Sequence, residues 1–416
     1  MTNLHQLIKQ YGQPDALIDH WDVASKRYAV WGFNEEFLIN SNGTTIVNGM
    51  PESGPPLQIW QDTLDRWKMD EIEMSAVGYI SYDLKNILFP HIQFKRVKKI
   101  SPLLWFGKPG KIIPFDITES DAPEPKSKIK ISKDLLHPEE YEKFIHKIKR
   151  YLEKGDSYQI NLTQPKQYQI FGNPFDLYMS MREYIQPHCG MYLNPGNIKI
   201  LSFSPERFFQ SSNGYIESFP MKGTRPRSYD IIQDERLAEE LYNSEKDRAE
   251  HLMIVDLIRN DIGKVCEYGS VHVDNLYGIE SFETVHQMVS RVHGKLNDNI
   301  QETDVIQSLF PGGSVTGAPK ERSMAIIDSL ENYHRGIYTG ALGTISSNGD
   351  MDFNIAIRTM TIEGNIATYP VGGGIVWDSD PLEEWQEAQQ KSRIIDMYQN
   401  IAQKINQNLK PVLTSK

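Results

Sequence analysis

Segments with strand-like apolar alternation follow one another in runs along this chain, and that order limits the fold more than any other feature. In the first third, RYAVWGF (27–33), TTIVNGM (44–50) and AVGYISYDL (76–84) read as strands, with a single helical piece near 57–70. Later strands are predicted at YQINLTQP (158–165), IKILSFSP (198–205), YIESFPMKGT (215–224), VHVDNLY (271–277), 337–347, 352–362 and 366–371. Helical spacing predicts helices over 138–155, 175–185, 235–261, 285–296 and 382–408, and a Gly-rich loop running into a helix over 311–332. A one-for-one alternation of strand and helix would specify a doubly wound parallel sheet. Strands that mostly follow strands specify an α+β fold with mostly antiparallel sheets.

The 416 residues provide two to three domains' worth of chain, or one large sandwich. The Pro/Lys/Ser stretch APEPKSKIKISK (122–133) is the linker candidate, and FKRVKK (94–99) reads as a solvated edge strand or loop. There are 44 Lys and Arg against 55 Asp and Glu, a net charge of −11, which argues against a nucleic-acid partner. No apolar run is long enough to span a membrane, and the N-terminus has no apolar secretory core, so the expected location is the cytoplasm. Only Cys189 and Cys266 are present, which excludes a disulfide framework and a cysteine-built zinc site.

Several residues carry chemistry in more than one reading. Glu384, Glu387 and Lys391 fall on one face of the last helix, and Glu250 sits where its own helix turns apolar. These glutamates read either as surface ion pairs or as oxygen ligands for a hard cation. With no cysteine or paired histidine to select a softer metal, that cation is Mg²⁺. PGGSVTGAPKERS (311–323) lacks the Gly-Lys-Ser/Thr ending of a nucleotide loop. It reads as a tight helix entry or as backbone amides around Thr316 and Gly317 offered to an anion, with Pro319 in the first helical turn. A second glycine run, VGGGIVWDSDP (371–381), brings backbone close to something just before the acidic helix. Lys222 in PMKGTRPR is a solvent-facing lysine or, if desolvated, a nucleophilic amine. Glu206 in SPERFF is an edge charge or a raised-pKa acid sharing a cavity with it. His286, placed in an apolar-periodic helix, reads as a core histidine. Arg358, placed within a strand, suits a carboxylate of a substrate or of a structural Asp.

The strings GDSYQINLTQ (155–164), SPERFF, PMKGTRPR, EKDRAEHLMIVDLIRNDIG (245–263), LFPGGSVTGAPKERSM (309–324), FNIAIRTM (353–360) and VGGGIVWDSDPLEEWQEAQQKS (371–392) occur in a fixed order. Through them the chain resembles the chorismate-utilising enzymes, most closely the component I branch of the aminodeoxychorismate synthases. The resemblance is dense from about 138 to 395 and thin before 125. It implies two mostly antiparallel sheets packed as a sandwich with helices outside. Residues 1–125 would contribute strands to it, and 126–410 would form the chorismate-binding catalytic region. It further implies Mg²⁺ on Glu250, Glu384 and Glu387, and chorismate held by Thr316, Gly317, Tyr338, Arg358, Gly373, Gly374 and Lys391. Lys222, Glu206 and His286 would be catalytic. Lys222 stands where the aminodeoxychorismate enzymes carry lysine and anthranilate synthases carry alanine, and Gln159 where the isochorismate enzymes carry a lysine base. The implied reaction joins chorismate and ammonia into 4-amino-4-deoxychorismate on the way to 4-aminobenzoate and folate. Neither cysteine has the context of an amidotransferase nucleophile, so a separate glutamine amidotransferase subunit would supply the ammonia. Anthranilate synthase component I is the nearer alternative, disfavoured by Lys222 and by the absence of a tryptophan-pocket motif near FLINSNG (37–43). A non-catalytic chorismate-binding subunit is the farther one.

Overall fold

A computed structural model describes residues 3–20, 26–70, 72–95, 101–116, 127–282 and 285–408. Every ladder between strands in it is antiparallel, and the strands join into one continuous network. Its path starts at His272–Ser281 and passes Val285–Lys295, Tyr215–Ser218, Arg207–Ser212, Met351–Ile355, Ala341–Ile345 and Ala76–Ile80. It continues through Leu104–Phe115, Arg27–Ile39, Ala16–Asp19, Cys189–Leu193 and Ile198–Ser204. Thr359–Glu363, Ile366–Ile375, Gln159–Phe171 and Lys128–Lys133 complete it. The α+β expectation with mostly antiparallel pairing therefore holds.

One buried cluster takes Val77, Tyr79 and Leu342 from one stretch of this path and Met191, Leu193 and Ile200 from another. Helices contribute to the other clusters. Pro56–Lys68, Glu245–Gly263 and Glu302–Leu309 supply Trp60, Trp67, Val255, Ile262 and Leu309 to a second cluster. The C-terminal helix Pro381–Asn408 places Ala388, Ile395 and Tyr398 in a third. The helix Pro138–Glu153 starts as its sequence dictates, with Pro138 and two acidic residues in the first turn and Tyr141, Ile145 and Ile148 buried on one face. Among the described residues, no helix is long and apolar enough to cross a membrane.

Five expectations are corrected. The segment 235–261 is two helices, Ile231–Asn243 and Glu245–Gly263, because the Ser244 hydroxyl accepts the Asp247 amide and starts a new helix. The segment 285–296 is the strand Val285–Lys295. Its even-numbered positions His286, Met288, Ser290, Val292 and Gly294 are all buried, with Val289 the one odd-numbered addition, a period of two that a chance helical spacing of Val285, Met288, Val289 and Val292 obscures. The second half of the linker candidate is the strand Lys128–Lys133, and 122–126 lie outside the described residues, as do 96–99 of the basic run. The predicted strand 352–362 is broken into Met351–Ile355 and Thr359–Glu363 at Arg358, whose φ is +48°. Pro319 precedes the helix Lys320–Leu330 as its N-cap and does not lie in its first turn.

The glycine loop is fixed to the strand Gln159–Phe171 by a buried ionic network. Arg335 donates to the Val315 carbonyl at 2.8 Å, the Asn161 carbonyl at 2.6 Å and the Glu331 carboxylate, and Glu331 in turn accepts from the amide and hydroxyl of Thr163. Gly317 completes the join. Its φ is +141°, and an added Cβ would stand 2.0 Å from the Gln159 carbonyl oxygen. Gly317→Ala is expected to destabilise the fold by about 2–4 kcal/mol, read as a lower urea midpoint at unchanged slope.

Candidate active site

Six of the singled-out side chains gather around one point. Lys222 arrives on the strand Met221–Pro226, and its Nζ donates to Gln159 Oε1 at 3.4 Å. Burial pushes the amine below its ordinary basicity, and Lys391 adds to this. Glu250, Glu206 and Glu387 act in the opposite sense. Glu206 follows the strand Ile198–Ser204; it accepts from the Ser314 hydroxyl at 3.0 Å. Burial raises its carboxyl to about 6, although Ser314, Lys222 and Lys391 all favour the ionised form.

The carboxylates come from two helices. Glu250 sits on Glu245–Gly263 and is raised by burial, with Asp247 and Glu387 repelling it and Lys222 and Lys246 relieving it. Glu384 accepts from Ser379 Oγ at 2.6 Å; burial and the neighbouring Glu387 raise it. Glu387 is also opposed by burial, but Lys391 at 2.6 Å, Lys222 and Lys246 outweigh this and hold its carboxyl below the ordinary value. Lys391 also donates to the Gly372 carbonyl at 2.8 Å.

The second glycine run forms the wall between these helices and Gln159. A Cβ on Gly373 would lie 3.3 Å from Glu384, 3.7 Å from Lys391 and 3.8 Å from Glu387. A Cβ on Gly374 would lie 2.9 Å from the Gln159 amide. Both glycines therefore keep a wall clear of side chains where polar groups converge. Gly374→Ala is expected to push Gln159 off Lys222 and lower turnover at least tenfold, with the far-UV circular dichroism spectrum unchanged; wild-type turnover would show that this contact is dispensable.

Neither Tyr338 nor Arg358 is joined to this group by a hydrogen bond or ion pair among the described residues; their charged neighbours are other side chains. Tyr338 is buried, which raises its phenol; Arg335 opposes this and Tyr369 adds to it. Burial also raises Tyr369, with Arg358 the main opposing charge. Arg358 is exposed at the break between two strands and does not project from within one. Thr316 is differently occupied from its expected part. Its amide donates to the Gly313 carbonyl at 3.2 Å and its hydroxyl to the Gly312 carbonyl at 2.8 Å.

His286 is not brought into the group. Its Nδ1 meets Ser281 Oγ and its Nε2 meets Asp234 Oδ1, each at 2.9 Å, so both ring nitrogens are engaged. A different histidine is. His251, fully buried beside Glu250, has its Nε2 2.6 Å from Ser290 Oγ, and its Nδ1 has no hydrogen-bond partner among the described residues. Burial lowers it to about 4, and Lys222 adds to this. Gln159 Nε2 is likewise buried without a partner, as is the hydroxyl of Tyr141, whose strongest charged neighbours are Glu384 and Glu387. Other buried polar atoms of the chain also lack a partner among the described residues, such as Trp60 Nε1, but these three lie beside the carboxylates, where they can meet a polar ligand. Sequence offered one sign of them: His251 is adjacent to Glu250 on the apolar part of its helix.

The donor set suits a hard divalent cation in its chemistry. Of the three carboxylates, Glu250 and Glu384 are driven toward protonation by burial and by the charge of Glu387. As they stand, no group of three His, Cys, Asp or Glu side chains among the described residues is drawn tightly enough to hold a metal ion.

The chain is 45% identical over 260 residues to the chloroplastic aminodeoxychorismate synthase of Arabidopsis thaliana, covering 61% of this chain and 28% of that one. It is 41% identical over 248 residues to aminodeoxychorismate synthase component 1 of Bacillus subtilis, covering 60% and 53%. It is 33% identical over 390 residues to anthranilate synthase component 1 of Saccharolobus solfataricus, covering 89% of each. The chain thus spans about half of the bacterial aminodeoxychorismate synthase component and little over a quarter of the plant protein. The crystal structure of anthranilate synthase component I from Streptococcus pneumoniae superposes with a TM-score of 0.76 at 26% identity, over 89% of this chain and 92% of that one. The family model described as chorismate binding enzyme matches residues 18–396. With all but its two ends inside that match, the chain is a member of the chorismate binding enzymes.

Proposed function

We propose that this chain is an aminodeoxychorismate synthase, which converts chorismate and ammonia to 4-amino-4-deoxychorismate and water. The observation that carries this reading is the placement of Lys222: an amine made less basic by burial, facing Glu206, a carboxyl raised to about 6. One group is prepared to attack and the other to give up a proton. The neutral Lys222 amine attacks ring carbon 2 of chorismate. Both ring double bonds shift along the conjugated diene, and the hydroxyl at ring carbon 4 leaves as water with the proton of Glu206. Ammonia then attacks ring carbon 4 and expels the lysine amine. Gln159 holds the Lys222 amine, and Lys391 and the wall at Gly373 bind and orient substrate carboxylates. Tyr338 and Arg358 would contact the far end of the substrate. For His286, whose ring is engaged by Asp234 and Ser281, the part consistent with its bonds is to fix the segment beyond Lys222.

Mg²⁺ would be held by Glu250, Glu384 and Glu387, where it would neutralise the substrate's ring carboxylate. A separate glutamine amidotransferase is the proposed ammonia source, in keeping with the "component 1" in the names of the bacterial relatives. The strands are proposed to form the two layers of a sandwich, the cluster of Val77, Tyr79, Met191 and Leu193 lying between them. Residues 1–125 would add strands to it, with the catalytic residues drawn from 126–410.

The test is product analysis on the purified chain with chorismate, Mg²⁺ and an ammonium salt. Formation of 4-amino-4-deoxychorismate is expected. Anthranilate would overturn this reading in favour of anthranilate synthase, and no turnover would overturn both.

A further inference from the structure

The strand that carries Lys222 is irregular at that very residue. Its pairing with Val285–Lys295 runs Met221 opposite Val289 and Lys222 opposite Met288, then jumps to Thr224 opposite Gln287. Gly223 is the extra residue of a bulge, with φ at +70°. A bulge turns a strand and re-aims the side chains beside it. This one is seated against the helices that follow. A Cβ on Gly223 would stand 2.8 Å from Leu241 and 3.0 Å from the Asp247 carboxylate. Two residues on, Arg225 Nη2 donates to Asp247 Oδ2 at 2.9 Å, and its Nη1 donates to the Thr224 carbonyl at 2.9 Å. Asp247 lies in the first turn of the helix Glu245–Gly263, three residues before Glu250 and on the same face. A single ion pair therefore ties the strand that bears Lys222 to the helix that bears Glu250. The proposed reaction uses neither of its members.

We propose that Arg225 and Asp247, seated by the Gly223 bulge, are positioning residues that fix the direction of the Lys222 amine relative to Glu250 and the reacting ring carbon. This rests on the reading of Lys222 as the nucleophile. Both partners are partly exposed, so their loss costs the fold little and falls on placement. Misplacing a reacting group by about 1 Å can cost on the order of a hundredfold in rate.

The test compares Asp247→Asn, Arg225→Gln and Arg225→Lys in the full chain. The first two are expected to lower kcat by about 30- to 100-fold with KM for chorismate within about threefold and a melting temperature within a few degrees of wild type. Arg225→Lys, which can still meet Asp247, is expected to retain kcat within about fivefold. Wild-type kcat in Asp247→Asn and Arg225→Gln would overturn the proposal, as would a Lys variant no better than the Gln variant. A readout independent of turnover separates failure here from failure of the functional reading. Labelling of Lys222 by succinimidyl acetate, followed by peptide mass spectrometry, is expected to change at least threefold in Asp247→Asn relative to the other lysines. An unchanged labelling ratio would show that the pair does not place the amine, whatever the wild-type chain produces.

Discussion

Lys222→Ala is expected to lose at least about 10³-fold in the rate of 4-amino-4-deoxychorismate formation, because removing a nucleophile removes the covalent route as a whole. The loss of a positive charge would contribute to any such result, so Lys222→Arg is the necessary companion. Arginine keeps the charge beside Glu206 and Glu250, but its guanidinium stays protonated at every accessible pH and has no lone pair to offer. Both variants should therefore fail alike. An arginine variant near wild-type activity would show that Lys222 acts as a charge and not as a nucleophile. In Lys222→Ala, ammonia can still reach ring carbon 2 directly, so the residual product should shift toward anthranilate.

Glu206→Gln is expected to lower turnover by about 10²–10⁴-fold, the usual worth of a positioned general acid. Its signature is in the pH profile. Glu206 must carry its proton to release the ring hydroxyl, so wild-type activity should fall as pH rises past about 6. The glutamine variant should lack that limb. Lys222 acts in the opposite sense, since its reactive neutral form grows with pH, and burial makes that form accessible below the ordinary lysine range. The same carboxyl leaves a mark on stability. A folded value of about 6 against an ordinary 4.5 means that the native state holds this proton more tightly than the unfolded chain does. No penalty exists below about 4.5, and the full penalty is present above about 6. At pH 8, Glu206→Gln should therefore be more stable than wild type by about 1–2 kcal/mol, allowing for the side chain's partial solvent contact. At pH 4 the difference should vanish. Equal urea midpoints at both pH values would show that the carboxyl is not strained by burial.

The parts of the site legible in the sequence are those whose spacing is local. Glu384, Glu387 and Lys391 share a helix face by arithmetic alone, and the structure pairs the last two at 2.6 Å. Lys222 and Glu206 were readable as candidates, but their approach to Glu250 depends on pairings between distant strands. The parts of Gln159, His251 and Tyr141 in the site are hidden from local sequence for the same reason, although Gln159 stands at a position the resemblance marks and His251 adjoins Glu250. Each becomes informative only when a segment far along the chain leaves its polar atom without a partner. Helix and strand were confused where both periods fit, as at Val285–Lys295. The helix break at Ser244 was legible in principle, since a serine three residues before an aspartate is a helix-start signal, but a continuous run of good helix formers concealed it. His286 shows the reverse limit. Its sequence context reads as a core histidine and only the family resemblance gives it a catalytic part; the fold surrounds its ring with Asp234 and Ser281.

The most direct measurement of the central claim is peptide mass spectrometry of the purified chain mixed with chorismate and Mg²⁺ in the absence of ammonia. With no ammonia to displace it, the lysine adduct should accumulate: the peptide that contains Lys222 is expected to gain the mass of chorismate less one water. Adding an ammonium salt should remove that mass and release 4-amino-4-deoxychorismate. Unmodified Lys222 in a chain that turns over normally once ammonia is supplied would contradict the claim.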